Sequence, residues 1–247
     1  MEDLIGDDFV QAYQRKNDLD IQARLQTVNL DLLAEKISTP PLKDRKFLES
    51  MARLILELGD DLPTYDTVLS DEISGRLPTL ILMNIIDRKR REKGIQTKVK
   101  TYFLTGGDML NHQHLFSVEN FIRGSSGKIK KALLVTDAIS TGRSVMEFSN
   151  ILESANVDFD IATVSILLKP EEYPPKISKR IRYGIAGTDN SSVTHRTANY
   201  VGVYKRSGYN AHPFAYKGTN IMSDQQKINV SREDVKTIAE SLYSLVD

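Results

Sequence analysis

The stretch Ala132-Leu133-Leu134-Val135-Thr136-Asp137-Ala138-Ile139-Ser140-Thr141-Gly142-Arg143-Ser144 decides how the rest of the chain reads. Its four leading apolar residues predict a buried strand. An acid follows at the carboxyl end, then a turn of Ser140, Thr141 and Gly142, then a helix over Ser144–Ala155. The carboxyl ends of strands are where open α/β sheets receive ligands. The first turn of a helix carries unpaired N–H groups and a partial positive charge, which suits a phosphate. Gly142 permits close backbone approach, and Ser140, Thr141 and Ser144 add hydroxyl donors. Asp137 cannot favour the phosphate itself; its carboxylate suits neutral hydroxyls, of which a ribose offers two. The plainer reading is an ordinary capped strand-to-helix turn, with Ser140 or Thr141 as the helix N-cap.

Outward from this stretch the chain alternates. Thr67-Val68-Leu69 predicts a short strand, Ser74-Gly75-Arg76 a turn, Pro78–Arg91 a helix and Thr97–Leu104 a second strand. Residues 105–128 hold four glycines and no clear period, which predicts a loop or lid. Ile161–Leu168, Arg180–Ile185 and Tyr200–Tyr204 predict further strands, and Arg232–Leu245 an amphipathic helix capped by Ser231. Before residue 60 the pattern is helical, with Leu25, Val28, Leu32, Leu33 and Ile37 in one run and Phe47, Met51, Leu54, Ile55 and Leu58 in another. Thr39-Pro40-Pro41 separates the two, and Gly59 closes the second. Strand–helix alternation predicts an α/β fold, a parallel sheet with helices on both faces, plus an N-terminal helical extension. The expected division is a helical extension or lobe over 1–60, a core over 61–210, and a C-terminal segment and helix over 211–247.

Composition narrows the function classes. The 247 residues balance 33 basic against 33 acidic side chains, so nothing suggests a nucleic-acid binder held by a bulk positive field. With no cysteine, disulfides, thiolate nucleophiles and Cys-ligated metal sites are excluded. The acidic start MEDLIGDDF lacks an apolar run, and the richest apolar run, Leu77–Ile86, is too short to span a bilayer. A soluble, cytoplasmic protein is expected, with no membrane partner. His112 and His114 could chelate a metal only in an extended loop, and solvated histidines are the plainer reading; His195 and His212 are weak candidates for base contacts. No nucleophile elbow, Walker loop or zincin string occurs.

The 132–144 string resembles the phosphoribosyl pyrophosphate (PRPP) signature of type I phosphoribosyltransferases: four hydrophobics, two acids, two hydrophobics, then a T-G-x-T/S turn. Asp137 matches the second acid, and Thr141, Gly142 and Ser144 the turn; Thr136 stands where the first acid usually is. The resemblance implies that Thr136 and Asp137 hold the ribose, while Ala138, Ile139, Ser140, Thr141, Gly142, Arg143 and Ser144 hold the 5′-phosphate. It makes Asp137 and Ser140 the candidate catalytic residues, Ser140 occupying a spot where some relatives carry an aspartate. Ile73-Ser74-Gly75-Arg76-Leu77-Pro78 resembles the family's pyrophosphate loop, which implies pyrophosphate contacts at Ser74, Gly75 and Arg76. Lys169, after Ile166-Leu167-Leu168, resembles the lysine that reads a 6-oxopurine in purine-type members. Tyr200 and Val201 resemble the segment that stacks on the base and reads its edge. The implied cofactor is Mg²⁺, arriving with PRPP and approaching Asp137.

The resemblance implies transfer of the phosphoribosyl group to a nitrogenous base, a 6-oxopurine by the Lys169 reading, with pyrophosphate released. Thr136 and Ser140 keep a second reading open: a regulatory protein that binds PRPP or a nucleotide without turning it over. A third is an α/β protein acting on another phosphorylated nucleoside. The partners expected are small molecules, with a homo-oligomer compatible with either of the first two.

Overall fold

The structure, a computed structural model, describes residues 19–71, 75–104, 112–187, 203–204, 216–217 and 222–247. Its centre is a five-stranded, all-parallel sheet of β1 (Thr67–Asp71), β2 (Lys100–Leu104), β3 (Lys131–Ile139), β4 (Asp158–Ile166) and β5 (Ile181–Ala186), ordered β2-β1-β3-β4-β5. Between them and around them run α1 (19–25), α2 (Leu30–Lys36), α3 (Arg45–Leu58), α4 (Arg76–Glu92), α5 (His112–Ser125), α6 (Arg143–Ser154), α7 (Pro175–Ser178) and α8 (Met222–Tyr243). The α/β architecture with a parallel sheet, helices on both faces and an N-terminal helical region is the expected one. A short antiparallel pair, β6 (Val203–Tyr204) and β7 (Tyr216–Lys217), stands apart from the sheet.

Period-two alternation along the strands divides the apolar residues between two cores. Val68, Leu133, Val135, Ala162 and Val164 face one side, where α3, α4 and α8 add Met51, Ile55, Ile81, Ile85, Ile238 and Leu242. Leu69, Ala132, Leu134 and Ile161 face the other, against Val118 and Ile122 of α5 and Phe148 and Leu152 of α6. The helices expected as an added lobe therefore share a core with the sheet, and α3 lies directly on β5 and β4. Closeness there depends on a missing side chain. A Cβ on Gly184 of β5 would stand 2.1 Å from the Ser50 carbonyl oxygen of α3 and 2.7 Å from that of Val164.

Several boundaries differ from expectation. The 105–128 loop contains α5 over His112–Ser125, because Leu115, Val118 and Ile122 recur at helical spacing and pack on the sheet, while Gly124 falls only in its last turn. Residues 105–111 lie outside the described residues. Ser231 is no N-cap: α8 starts at Met222, and the Ser231 hydroxyl donates back to the Ile228 carbonyl at 3.0 Å in mid-helix. The apolar stripe begins a turn earlier than the pattern suggested, with Ile228 buried. β4 ends at Ile166, leaving Leu167 and Leu168 exposed beyond it. The predicted break at Thr39-Pro40-Pro41 lies between α2 and α3, and Gly59 ends α3 at φ 35°.

Opposite the site, at the amino ends of the strands, buried Arg90 donates to the carbonyls of Tyr65 (2.8 Å) and Thr97 (3.2 Å). The Tyr65 hydroxyl donates to Asp160 at 2.8 Å, and burial, ahead of that acid, holds its pKa well above the ordinary value.

Candidate functional site

In this strand order the connections leave β1 and β3 in opposite directions, and neighbouring strands that do so open a crevice at their carboxyl ends. β1 ends at Asp71, one position past the Ser70–Val135 pair, and leads to the amino end of α4. β3 runs on to Ile139, so Thr136, Ala138 and Ile139 pair with Thr163, Ser165 and Ile166 of β4 alone. The strand is longer than its four leading apolar residues announced. It carries Thr136 and Asp137, both buried, to the crevice edge as strand residues rather than as part of a turn.

The turn itself is short. Ser140 and Thr141 are exposed, Gly142 is buried, and α6 starts at Arg143. Gly142 sits in the left-handed region (φ 74°, ψ 2°), which glycine enters without the penalty a Cβ brings. It is also the helix N-cap, and no side chain caps α6 among the described residues. The first intrahelical bond runs from Met146 N–H to the Gly142 carbonyl at 2.8 Å, so the N–H groups of Arg143, Ser144 and Val145 precede the ladder. The ordinary reading, with Ser140 or Thr141 as N-cap, is not what forms. A helix amino terminus left without a side-chain cap is suited to an oxyanion.

What shapes the turn is Tyr173, a residue that sequence reasoning did not single out. Its buried hydroxyl donates to the carbonyls of Ile139 (2.8 Å) and Ser140 (3.1 Å), and accepts from Leu168 N–H (3.3 Å). Its ring fills the space under Gly142, where a Cβ would meet Tyr173 Cδ1 at 3.1 Å. The only sequence signal was an aromatic placed before Pro174-Pro175 in a polar segment.

Other expected site residues gather at this edge unevenly. Gly75 is the N-cap of α4, again with no side-chain cap among the described residues, and Arg76 is its first residue. Ser74 lies outside the described residues. Six buried side-chain atoms among the described residues lack a partner, and Ser70 Oγ of β1 and Arg76 Nε and Thr79 Oγ1 of the first turn of α4 are three of them. The Arg76 guanidinium stacks over the Phe103 ring, 4.0 Å from its centroid. Burial first, and Arg232 second, bring its pKa down to about 10. Lys169 stands exposed three residues beyond the end of β4, its N–H bonded to Glu172 Oε2 at 2.6 Å. Tyr200 and Val201, with His195 and His212, lie outside the described residues.

Among the described residues no group of three or more His, Asp or Glu side chains converges as a metal site, and no helix is long and apolar enough to cross a membrane. No family model matches the chain, and no curated protein matches it in sequence.

Proposed function

We propose that this chain binds PRPP at the crevice between β1 and β3 and transfers its phosphoribosyl group to a nitrogenous base. The observation that carries the reading is the β3–α6 turn: a left-handed Gly142 N-cap, an α6 terminus without a side-chain cap, and buried Asp137 just upstream. In this reading the N–H groups of Arg143, Ser144 and Val145 and the hydroxyls of Ser140, Thr141 and Ser144 hold the 5′-phosphate. Asp137 accepts hydrogen bonds from the ribose hydroxyls. The amino end of α4, at Gly75 and Arg76, takes the pyrophosphate.

Mg²⁺ is bound through substrate phosphates and one or two carboxylates rather than by a protein cage, and buried Asp137 beside the turn is a carboxylate of that kind. Asp137 would hold it, and when bound it would neutralise charge on the leaving pyrophosphate. The chain's own share is positioning and electrostatics. The C1–O bond to pyrophosphate breaks as the base nitrogen bonds to C1, the proton of that nitrogen leaves with the pyrophosphate, and the turn holds the ribose end still meanwhile. Exposed Leu167 and Leu168, beside the turn through the Leu167 N–H bond to the Ile139 carbonyl (2.9 Å), offer an apolar surface for a base. Lys169 next to them donates to a 6-oxo group, which favours hypoxanthine or guanine over adenine.

A regulatory PRPP binder is the second reading, favoured by one observation: at the position of the missing first acid, Thr136 is buried in the strand. One experiment separates them. With PRPP and Mg²⁺, the melting temperature should rise, and a nucleobase panel should release pyrophosphate with an oxopurine. Stabilisation without release supports the regulator. An unmoved melting temperature at millimolar PRPP defeats both. Asp137→Asn should weaken the stabilisation more than Asp71→Asn.

A further inference from the structure

A groove of about 910 Å³ separates α4 from α8. Arg76, Leu80 and Asn84 line one wall and Asn229, Arg232 and Lys236 the other, while no residue of the 140–144 turn lines it. We propose that this groove is a second binding site, for a phosphate monoester on an organic body, with the phosphate gripped between Arg76 and Arg232.

Charge within the groove is unbalanced in a specific way. Its two acids are already committed: Glu233 pairs with Lys236 at 2.7 Å, and Asp234 accepts from the N–H groups of Ser38 (3.1 Å) and Thr39 (2.7 Å). Neither Arg76 nor Arg232 has an acidic partner among the described residues. Stacking on Phe103 occupies the face of the Arg76 guanidinium and leaves its donor edges, and Nε is buried with no acceptor. A buried donor without an acceptor and two like charges facing each other both raise the free energy of the empty protein. The lowered pKa of Arg76, set by burial and then by Arg232, reflects that cost. An oxyanion between the two guanidinium groups would reverse it, since arginine forks match phosphate oxygens two at a time.

The organic body follows from the rest of the lining. Leu80, Met83 and Val230, the last of these 38% exposed, form an apolar wall beside the cations, and Asn84 and Asn229 add amides. A bare inorganic anion would leave that wall wet, so a phosphate on an apolar or aromatic body should bind more tightly. Arg76 is common to this groove and to the pyrophosphate assignment above, so ligands of the two sites compete for one guanidinium, while Arg232 belongs to the groove alone and the 140–144 turn to the PRPP reading alone.

Titration calorimetry and thermal melts with AMP and with inorganic phosphate test it, in a Thr141→Asp background that repels phosphate from the turn. AMP should still bind and raise the melting temperature, more tightly than inorganic phosphate. Adding Arg232→Gln should weaken AMP about tenfold or more, a charge-assisted contact being worth roughly 1.4 kcal/mol or above. Arg232 is exposed, so the variant should fold, and without ligand it should melt no lower than the parent. Two results overturn the proposal: unchanged AMP affinity on adding Arg232→Gln, or loss of all AMP binding with Thr141→Asp alone. The second would leave the turn as the phosphate site and the PRPP reading intact. Conversely, PRPP stabilisation indifferent to Thr141→Asp, with the Arg232→Gln effect present, defeats the PRPP reading and keeps the groove.

Discussion

The Tyr173 hydroxyl donates to the Ile139 carbonyl at 2.8 Å, tying the connection after β4 to the last residue of β3. The same oxygen reaches the Ser140 carbonyl at 3.1 Å, and the ring lies under Gly142. The turn between β3 and α6 is thus shaped from below by a side chain more than 30 residues away in sequence. Its upper side, with exposed Ser140 and Thr141, is left to solvent or ligand.

Tyr173→Phe keeps the ring and removes the hydroxyl. It should cost about 1 kcal/mol of stability, the net worth of a neutral hydrogen bond. It should also weaken PRPP binding, because the carbonyls of Ile139 and Ser140 are released. Gly142→Ala should cost more, with about 1–2 kcal/mol from the left-handed backbone alone and a contact on Tyr173 besides. Urea unfolding and PRPP-induced melting shifts measure both. Full retention of the shift in Tyr173→Phe would show that the turn holds its shape unaided.

Gly184→Ala tests the seat of α3 on the sheet. The new methyl would meet backbone oxygens of Ser50 and Val164, neither at the end of a flexible side chain. Relief requires the helix to lift off β5. The expected loss is at least the roughly 1–3 kcal/mol typical of overpacking, read as a lower urea midpoint. An unchanged midpoint would mean that α3 lies further out.

Asp234→Ala tests how the N-terminal helices are fastened. Asp234 of α8 accepts from the Thr39 N–H at 2.7 Å and the Ser38 N–H at 3.1 Å, and Thr39 is only 1% exposed. Removal leaves a buried donor without its acceptor, at about 1.5–3 kcal/mol for a bond to a charged group. Hydrogen exchange should accelerate first at residues 37–42. Uniform acceleration across the sheet would instead indicate global unfolding.

Acid should loosen the far end of the α4–α8 pair. The Tyr243 hydroxyl, followed by Lys89 and Arg88, holds the Glu92 carboxyl below its ordinary range. A depressed carboxyl contributes stability above its unfolded pKa and loses it as pH falls through the folded one. The melting temperature should therefore drop from about pH 5 downward, and Glu92→Gln should flatten part of that slope. Burial and then Glu92 hold the Tyr243 hydroxyl above its ordinary value, so the same contact weakens from pH 10 upward. An acid limb identical in Glu92→Gln would exclude this pair as a source of the pH dependence.

The sequence by itself determined the local grammar of this protein. Apolar runs at Thr67–Leu69, Ala132–Val135 and Ile161–Leu168 announced strands covered on both faces, and Gly142 announced a turn that a backbone can approach closely, because period and backbone sterics act between near neighbours. Other features needed the folded chain. β3 runs on to Ile139 because β4 offers pairing partners as far as Ile166, which no strand period records. Leu115, Val118 and Ile122 were too sparse among glycines to declare a helix until the sheet gave them something to cover. Tyr173, Gly184, and the two arginines of the α4–α8 groove owe their roles to residues far off in sequence. Packing and charge act through space, and only the tertiary structure decides which residues share it.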